Sequence, residues 1–454
     1  MDFKEKKVLI IGMARSGIAA AKILKEQRAI VSIYDQKPLE KLVKELKTLS
    51  GLNIDYYLGG SEPEISTDKF DLVVTSPGVP LTAAPITTAF GKGLPVWSEL
   101  ELASIMTKSP IIAVTGTNGK TTTTALIGDI LSKTGQKVKV AGNIGIPLVQ
   151  EVTYADDNTY LVVEVSSFQL ETVHQFCPKI AVLLNITPDH LDRHKTMGKY
   201  IAAKGNIFIN QDKDDYAILN YDDQLTRSFA SKIKCQVIFF SKKHKLEKGI
   251  FLDQGTIIAN WQGKTEKIID WEQVKIKGSH NLENSMAAIA VALICNVNRK
   301  GLQESLQTFP GVPHRLEPVG EVDGITYIND SKGTNPEATI KAVEAYMDKK
   351  IVLIAGGMDK GSSFNDLAKI AAGLSCKIVV FGETAVKIKE AATDAGISEC
   401  YQVNNLAEAV ELSKNISSKG GIVLLSPACA SWDMYSNYEE RGDHFRKLVK
   451  KVMG

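Results

Sequence analysis

The stretch AVTGTNGKTTTTALIG, beginning at Ala113, concentrates the residue types that handle phosphate. Gly116 and Gly119 permit a tight backbone that can approach an anion closely, Lys120 brings a cation, and Thr121 places a hydroxyl for magnesium at the start of a helix-like run. The preceding IIAV is strand-like, so the strand–loop–helix setting of a phosphate-cradling loop is met. One position departs from the pattern G-x-x-x-x-G-K-[ST]: Val114 stands where the first glycine is usual. The residues predict a nucleotide phosphate site, the alternative being a glycine turn with a surface lysine.

A second glycine turn lies near the start. GMARSG follows G-x-G-x-x-G except at its middle position, where Ala14 replaces the glycine that lets a pyrophosphate press on the backbone. Asp35 closes the next strand-like run, about where the acidic ribose-binding residue of a dinucleotide fold belongs. A dinucleotide, a sugar nucleotide with a diphosphate, and a plain βα turn all fit this segment.

YLVVEVSSFQLE puts Glu164 inside an apolar strand, and a buried carboxylate needs a partner, a hydrogen bond or a metal. With the downstream TPDHLDRH it offers magnesium ligands for a nucleotide held at Lys120; magnesium prefers oxygen and keeps several waters. The alternative for DHLDRH is a polar loop with Asp189 as a helix N-cap. Asn281 and Asn284, three residues apart in GSHNLENSMAAIA, share one helix face and suit a base edge, a ribose or a cap. Arg315 in HRLE, and Asp330 and Lys332 in NDSKGTNP, fall at strand ends, where α/β sheets bind ligands.

The elements that must position these groups fall into blocks. A chain of 454 residues predicts about three domains. Apolar runs alternating with helical patterns predict an α/β fold of parallel sheets covered by helices. The blocks are residues 1–108, opening on KKVLIIGMARSG, 109–311, opening on PIIAVTGTNGKT, and 312–454, reached through the linker candidate TFPGVPHR. Between Lys232 and Trp271, short pieces such as CQVIFFS and GTIIANW predict a small antiparallel excursion. A net charge of +2 gives no electrostatic footprint for nucleic acid or an anionic membrane. The 6 cysteines are scattered without a C-x-x-C pair, which fits a reducing cytoplasm. The opening MDFKEKKVLIIG runs straight into a strand-like segment and predicts no signal peptide, and no run of about eighteen apolar residues is present to span a bilayer.

Taken together, TGTNGKTT, EVSSFQLE, NITPDHLDRH, YIAAK, GSHNLENS, PHRLE, NDSKGTNPEAT and LLSPACASWDMYSNYEERG resemble, in order and over most of the chain, the Mur ligase family of ATP-dependent amide-forming enzymes. Within it the pattern is most similar to the members that join D-glutamate to UDP-N-acetylmuramoyl-L-alanine in making peptidoglycan precursor. The D-N-P-R motif of the diaminopimelate- or lysine-adding members is absent.

The resemblance implies three domains: a Rossmann-like N-terminal domain (1–108) for the UDP-sugar, a central P-loop ATPase-like domain with a mostly parallel sheet (109–311), and a C-terminal Rossmann-like domain (312–454) for the amino acid. It implies that Gly116, Thr117, Asn118, Gly119, Lys120, Thr121 and Thr122 wrap the ATP phosphates, and that Asn281, Asn284, Arg315 and Asp330 hold adenine and ribose. Magnesium, as two ions, would be bound by Thr121, Glu164, His190 and Lys204, the last as a carbamate; Lys120, His190 and Lys204 would be the catalytic set. Ala14, Arg15, Asp35, Gly78, Asn143, Ser166 and Lys332 would hold the UDP substrate. Thr334, Lys360, Ser431 and Tyr438 would handle D-glutamate, Tyr438 standing where a close relative is expected to carry phenylalanine. The implied reaction passes through an acyl phosphate and a tetrahedral intermediate to an amide, ADP and phosphate, carried out by a cytoplasmic monomer without nucleic-acid or membrane partners. Rival readings are an oxidoreductase resting on GMARSG, a nucleotide switch, and a folylpolyglutamate synthetase-like ligase.

Overall fold

The computed structural model describes residues 2–143, 145–359 and 361–453, and among them the chain forms three sheets of 5, 9 and 6 strands. It divides into two compact units, Met1–Gln273 with Glu283–Gln307, and Val274–Leu282 with Thr308–Gly454. The first unit carries two of the sheets.

The first sheet contains β1 (Lys7–Ile11), β2 (Ile30–Asp35), β3 (Ile54–Leu58), β4 (Leu72–Thr75) and β5 (Val96–Ser98), in the order β3-β2-β1-β4-β5 with every pairing parallel. Such strands are covered on both faces, which is why they read as continuous apolar runs. Strand order reverses between β1 and β4, and a crevice opens beyond the carboxyl ends at such a point. The turns after these two strands are tied together there: the Ser76 hydroxyl donates to the Gly12 carbonyl at 2.8 Å. Gly17 closes the GMARSG turn because any side chain would run into the Gly12 carbonyl.

The second sheet contains β6 (Ile111–Thr115), β7 (Val138–Gly142), β8 (Tyr160–Glu164), β9 (Ile180–Leu183), β10 (Tyr216–Asn220), β11 (Gln236–Ser241), β12 (Gly249–Asp253), β13 (Thr256–Trp261) and β14 (Lys264–Asp270). Their order is β14-β13-β12-β11-β10-β9-β6-β8-β7. The antiparallel excursion expected from Lys232 starts later than that. β11, the CQVIFFS segment, pairs in parallel with β10, β12 pairs in parallel with β11, and only β12–β13 and β13–β14 are antiparallel. The change of direction is made by tight hairpins at Gln254–Gly255 and Gln262–Gly263, all four residues at positive φ as such turns require.

The second unit is built on β15 (Glu317–Val322), β16 (Ile325–Asn329), β17 (Ile351–Gly356), β18 (Lys377–Phe381), β19 (Cys400–Gln402) and β20 (Ile422–Leu425), ordered β15-β16-β20-β17-β18-β19. Only the edge strand β15 is antiparallel, to β16. The α/β architecture of mostly parallel sheets is therefore as expected. Among the described residues all six cysteines are unpaired, and no helix is long and apolar enough to cross a membrane.

Candidate active site

Val114, the departure from the usual phosphate-loop pattern, is strand. It pairs with Glu164 of β8 and Val182 of β9 and is fully buried. The turn begins afterwards, with Gly116 at φ 150° and Gly119 at φ 87°, and the helix Lys120–Lys133 starts immediately. Neighbouring chain fixes its shape. Thr117 N–H donates to the Asn185 carbonyl at 3.0 Å, and Asn118 N–H to Asn185 Oδ1 at 2.9 Å. Asn185 Nδ2 returns a bond to the Asn118 carbonyl at 3.1 Å. The Thr117 hydroxyl bonds both the Thr187 carbonyl (3.1 Å) and Tyr200 Oη (3.0 Å). What remains at the helix start is the set of N–H groups that an α-helix leaves without intrahelical acceptors, the positive end of its dipole. Lys120 Nζ curls over the turn, donating to the carbonyls of Gly116 (2.9 Å) and Thr117 (2.7 Å).

Glu164, 2% exposed, ends β8 beside that turn. Its Oε2 accepts the Thr121 hydroxyl at 2.6 Å and its Oε1 accepts Asn143 Nδ2 at 3.2 Å. Lys204, equally buried, donates from Nζ to the Gly116 carbonyl at 2.8 Å and lies 4.7 Å from the centre of the Tyr200 ring. Burial first, and the neighbouring Lys120 charge second, pull its amine well below the ordinary lysine range. Among the described residues no group of three or more His, Cys, Asp or Glu gathers closely enough to hold a metal ion.

His190 sits at φ 52°, its ring edge-on to Phe168 with centroids 4.8 Å apart. The alternative reading, a cap by Asp189, is not made. The residue before the short helix Leu191–His194 is His190, without a side-chain cap, and Asp189 Oδ1 accepts its neighbour's N–H at 2.9 Å. A left-handed residue at the helix entry turns the chain so that the preceding carboxylate bonds one residue ahead rather than reaching the first helical turn. Around this corner Arg193 donates to the Pro77 carbonyl and to Glu171 Oε2, both at 2.7 Å, and lies over Phe168. Ser166 caps the helix Ser167–Leu170 in a reciprocal box with Gln169.

In the first sheet, Ala14 precedes the helix Arg15–Glu26, and Arg15 Nη1 reaches the Gly145 carbonyl at 3.5 Å. Asp35 organises the turn: Oδ2 accepts the Met13 N–H at 2.8 Å and Oδ1 the Lys37 N–H at 2.9 Å. Gly78 faces open space.

Asn284, on the helix Ser279–Ile294, lies against Gly119, where any side chain would strike its carboxamide. Asn281 belongs to the second unit, and its Nδ2 donates to the Lys277 carbonyl at 2.7 Å, a bond back to the chain ahead of the helix and not an N-cap, in which the side-chain oxygen would accept a backbone N–H. In that unit Asp330 is fully buried at the end of β16; burial raises its carboxyl, which Arg315 (3.4 Å) and the Ser426 hydroxyl (2.7 Å) oppose. Lys332 Nζ lies 5.4 Å from the Tyr438 ring centre, a cation–π contact that phenylalanine would make equally well. Thr334 N–H donates to the Lys332 carbonyl, and Ser431 is buried. Lys360 lies outside the described residues.

Comparison with known proteins decides the family. Residues 6–98 match the MurD-like N-terminal domain of Mur ligases, 114–292 the Mur ligase middle domain, and 314–429 the glutamate ligase domain of Mur ligases. The chain is 48% identical to the UDP-N-acetylmuramoylalanine–D-glutamate ligase of Pelotomaculum thermopropionicum, over 99% of this chain and 98% of that protein. It is 45% identical to the protein of the same name from Clostridioides difficile, over 100% of both. The chain belongs to the Mur ligase family. Among solved structures, the UDP-N-acetylmuramate-alanine ligase MurC of Thermotoga maritima superposes with a TM-score of 0.61 at 22% identity, covering 98% of this chain and 99% of that one. The MurF ligase of the same organism, solved with ADP, gives 0.60 at 16% identity over 99% of both chains, which speaks for the shared fold.

The Mur ligase motifs contain more than the residues first singled out from them. Asn185, Tyr200 and Arg193 all lie within the quoted motifs NITPDHLDRH and YIAAK, yet only their contacts reveal that they shape the phosphate turn and the His190 corner. One signal was available: Tyr200 and Lys204 are four residues apart on the helix Met197–Gly205, so they share a face.

Proposed function

We propose that this Mur ligase joins D-glutamate to UDP-N-acetylmuramoyl-L-alanine at the expense of ATP, giving ADP and phosphate. The observation that carries the reading is near-complete alignment, at 45–48% identity, with relatives bearing that name. The site supplies the chemistry such a reaction needs. A carboxylate is a poor acyl donor, so it is first phosphorylated by ATP; the amine of D-glutamate then attacks the acyl carbon, and the tetrahedral adduct expels phosphate. Positioning and charge neutralisation dominate such a phosphoryl transfer. We assign Gly116–Thr122 and Lys120 to the ATP phosphates, and Asn281, Asn284, Arg315 and Asp330 to the nucleoside.

Magnesium fits the residues present, because it commonly takes one or two carboxylates and completes its shell with phosphates and waters. Glu164, the Thr121 hydroxyl, His190 and a carbamate on Lys204 are the assigned ligands; the ion would neutralise charge on the phosphates. The depressed amine of Lys204 supports the carbamate, since only a neutral amine forms an N–C bond with carbon dioxide, releasing one proton. Ala14, Arg15, Asp35, Gly78, Asn143, Ser166 and Lys332 are assigned to the UDP substrate, and Thr334, Lys360, Ser431 and Tyr438 to D-glutamate. The division at 1–108, 109–311 and 312–454, and action as a cytoplasmic monomer, belong to the same proposal.

The test is ADP release with UDP-N-acetylmuramoyl-L-alanine and ATP, comparing D-glutamate with L-glutamate, lysine and diaminopimelate. Turnover that depends on D-glutamate supports the reading; equal turnover with any of the others, or without an amine, overturns it.

A further inference from the structure

The closing motif NYEERG puts Arg441 on the helix Tyr438–Met453 with its side chain fully buried. A buried guanidinium ordinarily meets a carboxylate. Here its acceptors are one hydroxyl and three carbonyls. Nε donates to Ser331 Oγ (3.0 Å), Nη2 to the carbonyls of Ser331 (2.8 Å) and Cys429 (3.2 Å), and Nη1 to the Ala430 carbonyl (3.2 Å). The acceptors belong to two loops, one following β16 and continuing to Lys332 and Thr334, the other following β20 and continuing to Ser431. Carbonyl dipoles solvate a charge without cancelling it, and the carboxylates of Asp330 and Asp433 act on it from the same two segments without a hydrogen bond to it. Burial lowers the guanidinium only to about 10, which leaves it charged at neutral pH.

The surroundings hold this arrangement tightly. The Ser331 hydroxyl that accepts from Arg441 donates in turn to the Tyr438 carbonyl at 2.8 Å. Ala428 N–H donates to the Gly333 carbonyl at 2.9 Å, joining the two loops a second time, and Ala428 holds φ 61° to do so. A side chain at Gly357 would come within 3.1 Å of Arg441 Nη1.

We infer that Arg441 is the positioning residue of the amine-acceptor site: it sets the spacing of the Ser331–Thr334 and Cys429–Ser431 segments, and through that spacing the fit of a dicarboxylic amine. The inference rests on the assignment of Thr334, Ser431 and Tyr438 to D-glutamate in the proposed function.

The experiment measures kcat and KM separately for D-glutamate, ATP and the UDP substrate in Arg441→Lys and Ser331→Ala, with thermal melting to establish folding. Lysine keeps the charge but replaces the planar fork with three donors on one atom. Alanine removes only the hydroxyl acceptor. Arg441→Lys is expected to raise KM for D-glutamate about tenfold or more, with the other two constants within about twofold. Ser331→Ala should shift the same constant in the same direction by less. If Arg441→Lys does not fold, Ser331→Ala decides by the same criterion. An unchanged KM for D-glutamate in folded variants, or a parallel rise in all three constants, overturns the inference while leaving the functional reading intact. Wild-type protein that releases ADP without regard to D-glutamate overturns the functional reading and this inference with it.

Discussion

Thr121 and Glu164, 43 positions apart in the chain, share a hydrogen bond of 2.6 Å at the mouth of the phosphate turn. The carboxylate is buried, its other oxygen accepts from Asn143, and the Lys204 amine acts on it electrostatically. As the assigned magnesium ligand it acts through its charge. Glu164→Gln keeps the shape and the bond from Thr121 while removing that charge. ADP formation should fall on the order of 10²-fold or more, with little change in melting temperature. Retention of wild-type turnover at saturating magnesium would remove Glu164 from the metal shell.

Lys204 gives a pH-dependent prediction. The folded protein holds its amine well below the ordinary 10.5, so between the two values the unfolded chain carries a proton that the folded chain lacks. Stability therefore rises with pH through that window and falls as pH drops through the folded value. Lys204→Met should flatten this part of the profile in denaturant titrations at constant ionic strength. Activity gives a second readout: turnover should drop in carbon-dioxide-depleted buffer and return with bicarbonate. Lys204→Ala should regain activity with a short carboxylic acid, and full activity without rescue would exclude the carbamate.

Gly119→Ala tests the fit between the phosphate turn and Asn284. The backbone at φ 87° is costly for alanine by about 1 kcal/mol, and the new methyl would strike the Asn284 carboxamide. Binding of a non-hydrolysable ATP analogue, followed by calorimetry, should weaken by more than the backbone cost alone. Asn284→Ala, at a residue assigned to the nucleoside, should weaken binding by itself, yet in a double-mutant cycle the pair should cost less than the sum of the two singles; an additive cycle would show that the two residues do not press on each other.

Glu99 lies at the start of the helix Glu99–Ile105, with its Oε1 accepting the Val149 N–H at 2.6 Å. Burial pushes its carboxyl from 4.5 up to about 7. The folded state thus binds a proton that the unfolded state has lost across this interval, and stability declines as pH rises from 4.5 to about 7. The decline attributable to this group is about 3 kcal/mol. Glu99→Gln should remove it, so the gap between variant and wild type in urea midpoints should widen toward alkaline pH; a constant gap would contradict the raised carboxyl.

The strands were legible because parallel strands buried on both faces leave long apolar runs, as in KVLII and IIAVT. The phosphate turn was legible because glycine, lysine and threonine must follow one another locally. Three features were not. The onset of antiparallel pairing at β12 depends on which neighbour a strand finds, and CQVIFFS looks alike in either direction. The Asp189 cap failed because a positive φ at a histidine has no sequence signature. Arg441, inside the charged run EERG, gives every sign of facing water, and its burial rests on carbonyls more than ten residues away.

Val114 and Glu164 pair side by side in β6 and β8, so the phosphate turn and its carboxylate are timed by strand alignment. Moving β8 by one residue would turn Glu164 to the opposite face and bring an aliphatic side chain to the Thr121 hydroxyl. Loops elsewhere can lengthen at small cost. The segment from Tyr160 to Glu164 has no such freedom: one inserted or deleted residue there would leave a chain able to fold but without its acid, so variation in this protein should concentrate in connections and spare the phase of this strand.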